Sequence, residues 1–295
     1  GEPAINLLFH KMPATGKPPE GRHDGKTEGR KEGMTAKRQE AITVALVNNK
    51  GGVGKTTSAV SLAAGIAALD KKVLLADLDA QGSASLSLGL TRADLQPGTA
   101  EAILEGHPIK EAIRPSGVAG LDILPGSMAL ASADLVLSDV KGREAVLAAA
   151  LKPILTDYDF AVLDCPPSLG LLTVNALTAA DFFLVPLTPD YLALEGLVNL
   201  LEAVARIKTG IGKAADLLGV FLTLADARLN VTEEIGSMIR RHYGHKVLKT
   251  VIPGNVRLKE APSFGKTIFD YDGGSAGAEA YRELVKEVMG RLSRA

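Results

Sequence analysis

The chain has 295 residues, 46% hydrophobic and 23% charged, with one cysteine, Cys165, and no tryptophan; this excludes an intrachain disulfide, a Cys-rich zinc site and an iron–sulfur cluster held by several cysteines of one chain, and it suits a reducing, cytoplasmic setting. No apolar run reaches the roughly 18 residues of a membrane span, and the N-terminus lacks the apolar stretch and cleavage site of a secretory signal. With 33 Lys and Arg against 34 Asp and Glu the formal net charge is −1, so attraction to nucleic acid has to come from a local patch.

Residues 1–40 stand apart. Six Gly, four Pro, eight Lys or Arg against six Asp or Glu and little apolar periodicity predict a disordered tail. Gly1 at the start and Met12 and Met34 within leave a cloning remnant or an upstream start as open as a genuine tail. From Ala41 onward short apolar runs alternate with helical patterns, the signature of an α/β fold with a mostly parallel twisted sheet flanked by helices on both faces. Strands are predicted at 42–47, 73–76, 121–124, 160–163, 183–187, 220–224 and 247–252, several of them continuous apolar runs, as strands covered on both faces require. Helices are predicted over 58–69, 144–155, 194–207 and 232–242. One domain over residues 41–295 is the simplest reading.

The strand ending near Asn48 runs into Lys50-Gly51-Gly52-Val53-Gly54-Lys55-Thr56-Thr57, and a helical pattern with Ala59, Val60, Leu62, Ala63 and Ile66 follows at once. Strand, glycine loop and helix are the context that phosphate binding demands: glycines aim successive N–H groups inward, and the helix N-terminus adds partial positive charge. Lys55 is then placed to reach the β- and γ-phosphates and the Thr56 hydroxyl to ligate Mg²⁺. The usual pattern has Gly where Asn49 stands, and an additional lysine, Lys50, opens the loop. A Gly-rich turn with two solvated lysines is the bland alternative, which the strand-to-helix context disfavours.

Asp77 and Asp79 follow the apolar run Val73-Leu74-Leu75-Ala76, at the carboxyl end of a buried strand, where ligands of open α/β sheets sit. A solvated strand-end turn would use the same residue types. The run Phe160-Ala161-Val162-Leu163 ends at Asp164 before Cys165-Pro166-Pro167, the Walker B pattern, in which an apolar strand delivers one carboxylate to the metal. Alone this pattern is weak; paired with the glycine loop upstream it becomes specific. Cys165 reads as a small buried hydrophobe, because no histidine motif accompanies it.

A lysine inside the loop makes it resemble the deviant Walker A motif of the ParA/MinD superfamily of P-loop ATPases. The resemblance implies ATP and Mg²⁺ as cofactors and an ATP-sandwich dimer, in which Lys50 of one subunit crosses to the nucleotide of the other. It implies that Asp79 stands near the attacking water and the Mg²⁺ shell and that Asp77 holds the switch loop or the phosphate loop. The implied catalytic set is Lys50, Lys55 and Asp79, and the implied metal set is Thr56, Asp79 and Asp164. The family usually carries Pro where Ala80 stands, a departure that bears on the rigidity of this loop.

Further stretches are similar to the Soj/ParA partitioning branch: Tyr158-Asp159-Phe160, Asn175-Ala176-Leu177, Leu192-Ala193-Leu194-Glu195-Gly196, Asp226-Ala227-Arg228, and Ile252-Pro253-Gly254-Asn255-Val256-Arg257-Leu258 through Lys266. The resemblance runs over residues 41–292. It implies that Pro253 and Asn255 lie on the adenine loop and that Arg228 and Arg257 bind duplex DNA without sequence preference. It further implies an ATP-dependent homodimer, a ParB-like centromere-binding partner and a cytoplasmic, nucleoid-associated protein. Surface or salt-bridged arginines are the alternative reading of Arg228 and Arg257.

Arg240, Arg241, His242, His245, Lys246 and Lys249 form a second basic cluster, readable as a backbone-tracking patch or as a solvated helix end. His242 and His245 lack a third ligand in pattern, which speaks against zinc, and the scarcity of interleaved aromatics favours duplex over single strands. A MinD-like membrane helix would be basic and rich in bulky anchors. Here the stripe Tyr281, Leu284, Val285, Val288 and Leu292 faces balanced charges, which predicts packing on the sheet and no membrane contact. Nitrogenase iron proteins share the loop but need two cysteines per subunit. A metabolic ATP-dependent ligase such as the dethiobiotin synthetases is a more distant alternative, but no small-molecule carboxylate site is evident, and the Asp226-Ala227-Arg228 and Asn255-Val256-Arg257 motifs point elsewhere. Relatives that position a non-DNA cargo cannot be separated by sequence.

Overall fold

The computed structural model describes residues 40–226 and 228–294; the tail expected over residues 1–40 falls outside them except for Glu40. Eight strands form one sheet: β1 (Ile42–Leu46), β2 (Val73–Asp77), β3 (Arg114–Pro115), β4 (Leu121–Leu124), β5 (Phe160–Asp164), β6 (Phe182–Leu187), β7 (Asp216–Ala225) and β8 (Val247–Pro253), in the order β3-β4-β2-β5-β1-β6-β7-β8. All neighbours are parallel except β3, which runs antiparallel to β4 at the edge. Two residues carry no readable period, so β3 escapes the sequence reading, and its Pro115 is tolerated because an edge strand need not donate on both sides.

Parallel strands need crossovers, and the helices that supply them cover both faces. The helices that matter for the site are α1 (Lys55–Ala67), α2 (Ser83–Ser87), α3 (Leu171–Ala179), α4 (Tyr191–Ile211), α5 (Asn230–Tyr243), α6 (Val256–Glu260) and α7 (Ala276–Leu292). α1 and α7 share a core with Val44, Leu46, Leu75 and Val162, whereas α3, α4 and α5 share the opposite core with Ala45, Val47, Leu74 and Leu163. Successive residues of β1 thus feed opposite faces, as the period of two demands. The helix expected over 144–155 is broken: a 3₁₀ turn at Arg143–Ala145, a helix at Val146–Leu151 and a further 3₁₀ turn at Leu155–Asp157. Pro153, which lacks an N–H and clashes with the preceding turn, accounts for the break.

From β1 the chain moves outward through β2 to β3 at the edge, returns through β4 to β5 beside β1, and then builds β6, β7 and β8 on the other side. This reversal opens a crevice at the carboxyl ends of β5 and β1, the place where open α/β sheets bind ligands. On the back of the crevice α7 is fixed to the body. Its stripe Tyr281, Leu284, Val285, Val288 and Leu292 is buried, and Tyr281 Oη lies 2.9 Å from Ser58 Oγ of α1. Glu287 accepts the Lys249 N–H and Thr250 N–H of β8 at 2.9 and 3.0 Å. The face that a membrane-surface helix would present is therefore used inside the protein. Among the described residues no helix is long and apolar enough to cross a membrane.

Packing between α1 and α7 is tight at Gly65, where a Cβ would stand 2.6 Å from Val285 Cγ2 and 3.5 Å from the Phe269 ring. Alanine in a helix gains about 1 kcal/mol over glycine, but overpacking against a stiff β-branched neighbour costs about 1–3 kcal/mol. Gly65→Ala is expected to lower the thermal midpoint by about 2–4 °C, the shift that about 1 kcal/mol makes in a domain of this size. An unchanged or raised midpoint would contradict the close contact.

Candidate nucleotide site

After β1 the chain passes through residues 47–54 into α1, whose N-cap is Gly54. Gly52 (φ +75°) and Gly54 (φ +82°) are left-handed, a conformation that a Cβ penalises. A Cβ at Gly51 or Gly52 would meet nothing within 4 Å, so the loop is open on that side. No side chain caps the first turn of α1, and its amides are left to an anion.

Beneath the loop the anchoring is dense. Asn48 Oδ1 accepts the Lys50 N–H at 2.9 Å, and its Nδ2 donates to the Pro186 carbonyl of β6 at 2.7 Å. The Thr223 hydroxyl of β7 donates to the Val53 carbonyl at 2.8 Å. Lys55 is buried and donates through Nζ to the Lys50 carbonyl at 3.0 Å. Burial holds its pKa below the usual lysine value, against the opposing pull of Asp164, Cys165 and Asp79. Thr56 and Thr57 are half-buried on the first turn of α1. Lys50 points away, its Nζ 2.9 Å from Asp190 Oδ2, with the two side chains 44% and 40% exposed. Asp190 also accepts the Thr188 hydroxyl at 2.6 Å and caps α4 through the Ala193 N–H at 2.9 Å. That cap starts α4 three residues earlier than the apolar pattern alone suggests.

Three carboxylates meet the loop. Asp77 and Asp164 are register partners on β2 and β5 and are both fully buried. Asp77 accepts the Ser85 N–H at 3.0 Å, the Ser85 hydroxyl at 2.8 Å and the Asp79 N–H at 3.1 Å. Burial nevertheless pushes its pKa up to about 6. It is a strut for the turn from Asp79 to α2. Asp79 is half-buried at the mouth of that turn and accepts the Gln81 N–H at 2.9 Å. Neither oxygen of Asp164 has a hydrogen-bond partner. Burial first, then Asp77, pushes its pKa well above the carboxylate range, while the Thr56 hydroxyl and Lys55 oppose the rise. A buried carboxylate without donors is expensive unless a cation completes it. Hydroxyl and carboxylate oxygens of the kind that Thr56, Asp79 and Asp164 carry suit Mg²⁺, although among the described residues no three His, Cys, Asp or Glu side chains are grouped closely enough to hold a metal by themselves. Cys165 is buried, and burial and Asp164 push its thiol up, away from the thiolate that a nucleophile needs.

The expected adenine-loop and arginine positions lie farther along the same carboxyl edge. Pro253 ends β8 opposite Ala225 of β7, the Gly254 N–H reaches the Ala225 carbonyl at 3.0 Å, and Asn255 caps α6 through the Arg257 N–H at 2.8 Å. Arg228 is 88% exposed and forked onto Asp226, with Nε–Oδ1 at 2.9 Å and Nη2–Oδ2 at 2.6 Å. Its hydrogen bonds hold the Asp226 pKa down to about 2. Arg257 pairs with Glu260 at 2.8 Å and with Asp272 at 3.3 Å. Both arginines are thus ion-paired in this structure. Such exposed pairs hold weakly, and a phosphate can compete for the guanidinium. The cluster from Arg240 to Lys249 sits where α5 ends and β8 begins, at the opposite edge of the sheet, and its Lys246 Nζ is used on the Leu217 carbonyl at 2.7 Å. The two basic sets do not form one surface.

Six large apolar side chains among the described residues are more than half exposed: Met128, Leu135, Leu192, Leu229, Val256 and Phe264. All six lie on segments that follow the carboxyl end of a strand. Sequence reasoning missed Asp190, Thr223 and Asn48. A Thr-Pro-Asp run before a helix was a usable capping signal for Asp190, whereas nothing local marks the other two.

Replacing Asp164 by asparagine removes a buried ionisable group whose charged form burial disfavours, and keeps the shape. In the nucleotide-free protein Asp164→Asn is expected to raise stability by about 1 kcal/mol or more, read as a higher thermal midpoint. A carboxyl whose folded pKa is raised loses its stabilising contribution as pH climbs, so the gain grows from pH 5 to pH 8. A lower midpoint, or a gap that narrows with pH, would contradict the geometry.

A family model described as an AAA domain matches residues 41–217. The sporulation initiation inhibitor protein Soj of Bacillus subtilis is 43% identical over 245 residues, spanning 83% of this chain and 97% of the relative. The chromosome partitioning protein ParA of Myxococcus xanthus is 41% identical over 248 residues, spanning 84% and 88%. A crystal structure of cobyrinic acid a,c-diamide synthase from Mycobacterium smegmatis, with bound ATP analog and magnesium, matches with a TM-score of 0.76 at 32% identity, covering 85% of this chain and 95% of that one. From the deviant phosphate loop, the paired strand-end carboxylates and these relatives, the chain belongs to the ParA/Soj family of P-loop ATPases.

Proposed function

We propose that residues 41–295 form one ATP-dependent partitioning ATPase, which dimerises around MgATP, holds duplex DNA without sequence preference and positions chromosome or plasmid cargo with a ParB-like partner. The observation that carries this reading is the open phosphate loop between β1 and α1, set beside the buried Asp164 at the carboxyl end of the neighbouring β5. ATP and Mg²⁺ are the ligands of this site: Lys50 to Thr57 cradle the phosphates, Thr56 and Asp164 hold the metal with Asp79 in its shell, and Pro253 and Asn255 border the adenine. Bound Mg²⁺ supplies charge neutralisation at the β- and γ-phosphates.

Lys55 carries positive charge to the phosphates from a buried position, where it acts more strongly than in water. Asp79, on the turn braced by Asp77, orients the attacking water. The Lys50 ammonium is restrained in cis by the exposed pair with Asp190, so it is available to cross to the nucleotide of a second copy. Exposed apolar side chains on segments that follow strand carboxyl ends, Leu192 and Val256 among them, give that second copy something to bury. Dimerisation sets two copies of Arg228 and Arg257 on one duplex, and two weak contacts then act as one strong one. ATP shifts the equilibrium only through its preference for the dimer; hydrolysis to ADP and phosphate, stimulated by the partner, releases the DNA. The buried stripe of α7 supports a cytoplasmic, nucleoid-associated protein over a MinD-like membrane-bound one.

The test is fluorescence anisotropy of a labelled, arbitrary-sequence duplex titrated with the chain in MgATP and in MgADP at two salt concentrations. Binding is expected with MgATP alone and to weaken steeply as salt rises. Arg257→Glu is expected to bind ATP normally and to lose DNA affinity by about tenfold or more, since each phosphate contact is lost twice per dimer. A chain that hydrolyses ATP yet ignores duplex DNA in both nucleotides would overturn the partitioning reading in favour of a small-molecule ligase or a membrane-bound relative.

A further inference from the structure

β7 ends in a run of apolar residues interrupted by one hydroxyl, Thr223, which is buried. Its Oγ1 donates to the Val53 carbonyl at 2.8 Å, joining residues 170 positions apart. Val53 stands between Gly52 and Gly54, both left-handed. A peptide unit flanked by such residues meets little steric resistance to rotation, so its orientation has to be held from outside. The contact is close on both sides, since a Cβ at Gly54 would lie 4.0 Å from Thr223 Cβ. The next residue of β7, Leu224, has φ +53° and a side chain 40% exposed. A leucine persists in the left-handed region only where its surroundings fix it, and the ladder between β7 and β8 shifts register between Leu222 and Ala225. The strand therefore bends immediately after it presents Thr223. One residue later the Ala225 carbonyl accepts the Gly254 N–H at 3.0 Å, so the same strand end holds both the phosphate loop and the segment that carries Pro253 and Asn255.

We infer that Thr223 is a positioning residue of the nucleotide site, whose hydroxyl fixes the Val53 peptide so that the loop is already in its binding form before ATP arrives. The inference rests on the reading of residues 50–57 as an ATP site. Without the hydroxyl the loop visits its binding form less often, and apparent affinity falls by the fraction lost. Chemistry at the γ-phosphate, once ATP is seated, changes little.

The full chain is assayed for MgATP hydrolysis and for binding of a fluorescent ATP analogue as wild type, Thr223→Val, which keeps the shape without the hydroxyl, and Thr223→Ser, which keeps the hydroxyl. Thr223→Val is expected to raise KM and the analogue's Kd about tenfold with kcat within about twofold of wild type; Thr223→Ser restores both constants. Thr223→Ala gives the same split and serves if the valine variant does not fold. Unchanged affinity in the valine and alanine variants, a serine variant as weak as valine, or a kcat loss without a KM change would each overturn the inference. Lys55→Ala run alongside separates the two levels. Normal analogue binding by that variant overturns the ATP-site reading and Thr223 with it, whereas loss there with no change in Thr223→Val overturns Thr223 alone.

Discussion

At the seam between β5 and β1 a fully buried carboxylate, Asp164, whose charge burial and Asp77 oppose and only Thr56 and Lys55 favour, lies near a lysine, Lys55, whose own charge is disfavoured by burial. Two such groups are costly to bury, and each is incompletely satisfied by the protein alone. The remainder of the structure makes sense as the scaffold that tolerates this. β2 and β5 are aligned so that Asp77 faces Asp164 across the ladder, and Asp77 in turn is saturated by Ser85 and the Asp79 amide. Stability given up at the strand ends is recovered in the two apolar cores on either side of the sheet.

The same constraint explains why the phosphate loop is anchored from below and open above. Its carbonyls and side chains are tied to β6 through Asn48 and to β7 through Thr223, while its glycines leave the outer side clear. The Lys50 side chain is the exception: its backbone is tied to Asn48 and Lys55, but its ammonium is held by an exposed pair with Asp190. A lysine that has to change partners is better restrained weakly than buried. Arg228 and Arg257 follow the same logic, since each is parked on local acids at the surface.

Much of this was legible in the sequence because it is local. Apolar runs gave seven of the eight strands, and the loop and both acidic strand ends followed from their immediate neighbours. The rest depends on contacts between distant segments. The Lys50–Asp190 pair spans 140 positions and the Thr223–Val53 hydrogen bond 170, and neither leaves a pattern in one sequence. β3 leaves no signal because two residues have no period, and the helix near residue 150 is broken because Pro153 interrupts an otherwise continuous apolar pattern. Only the fold shows that the Arg240 cluster lies at the opposite edge from Arg228 and Arg257, since residues close in sequence are sent to opposite ends by α5.

The central claim is that nucleotide completes this edge of the sheet and a second copy closes over it. Light scattering on a sizing column tests it most directly, using Asp79→Ala to keep ATP intact during the run. The account predicts twice the 30.8 kDa chain mass in MgATP and the single mass in MgADP. The same mass in both nucleotides, with ATP demonstrably bound, would contradict it.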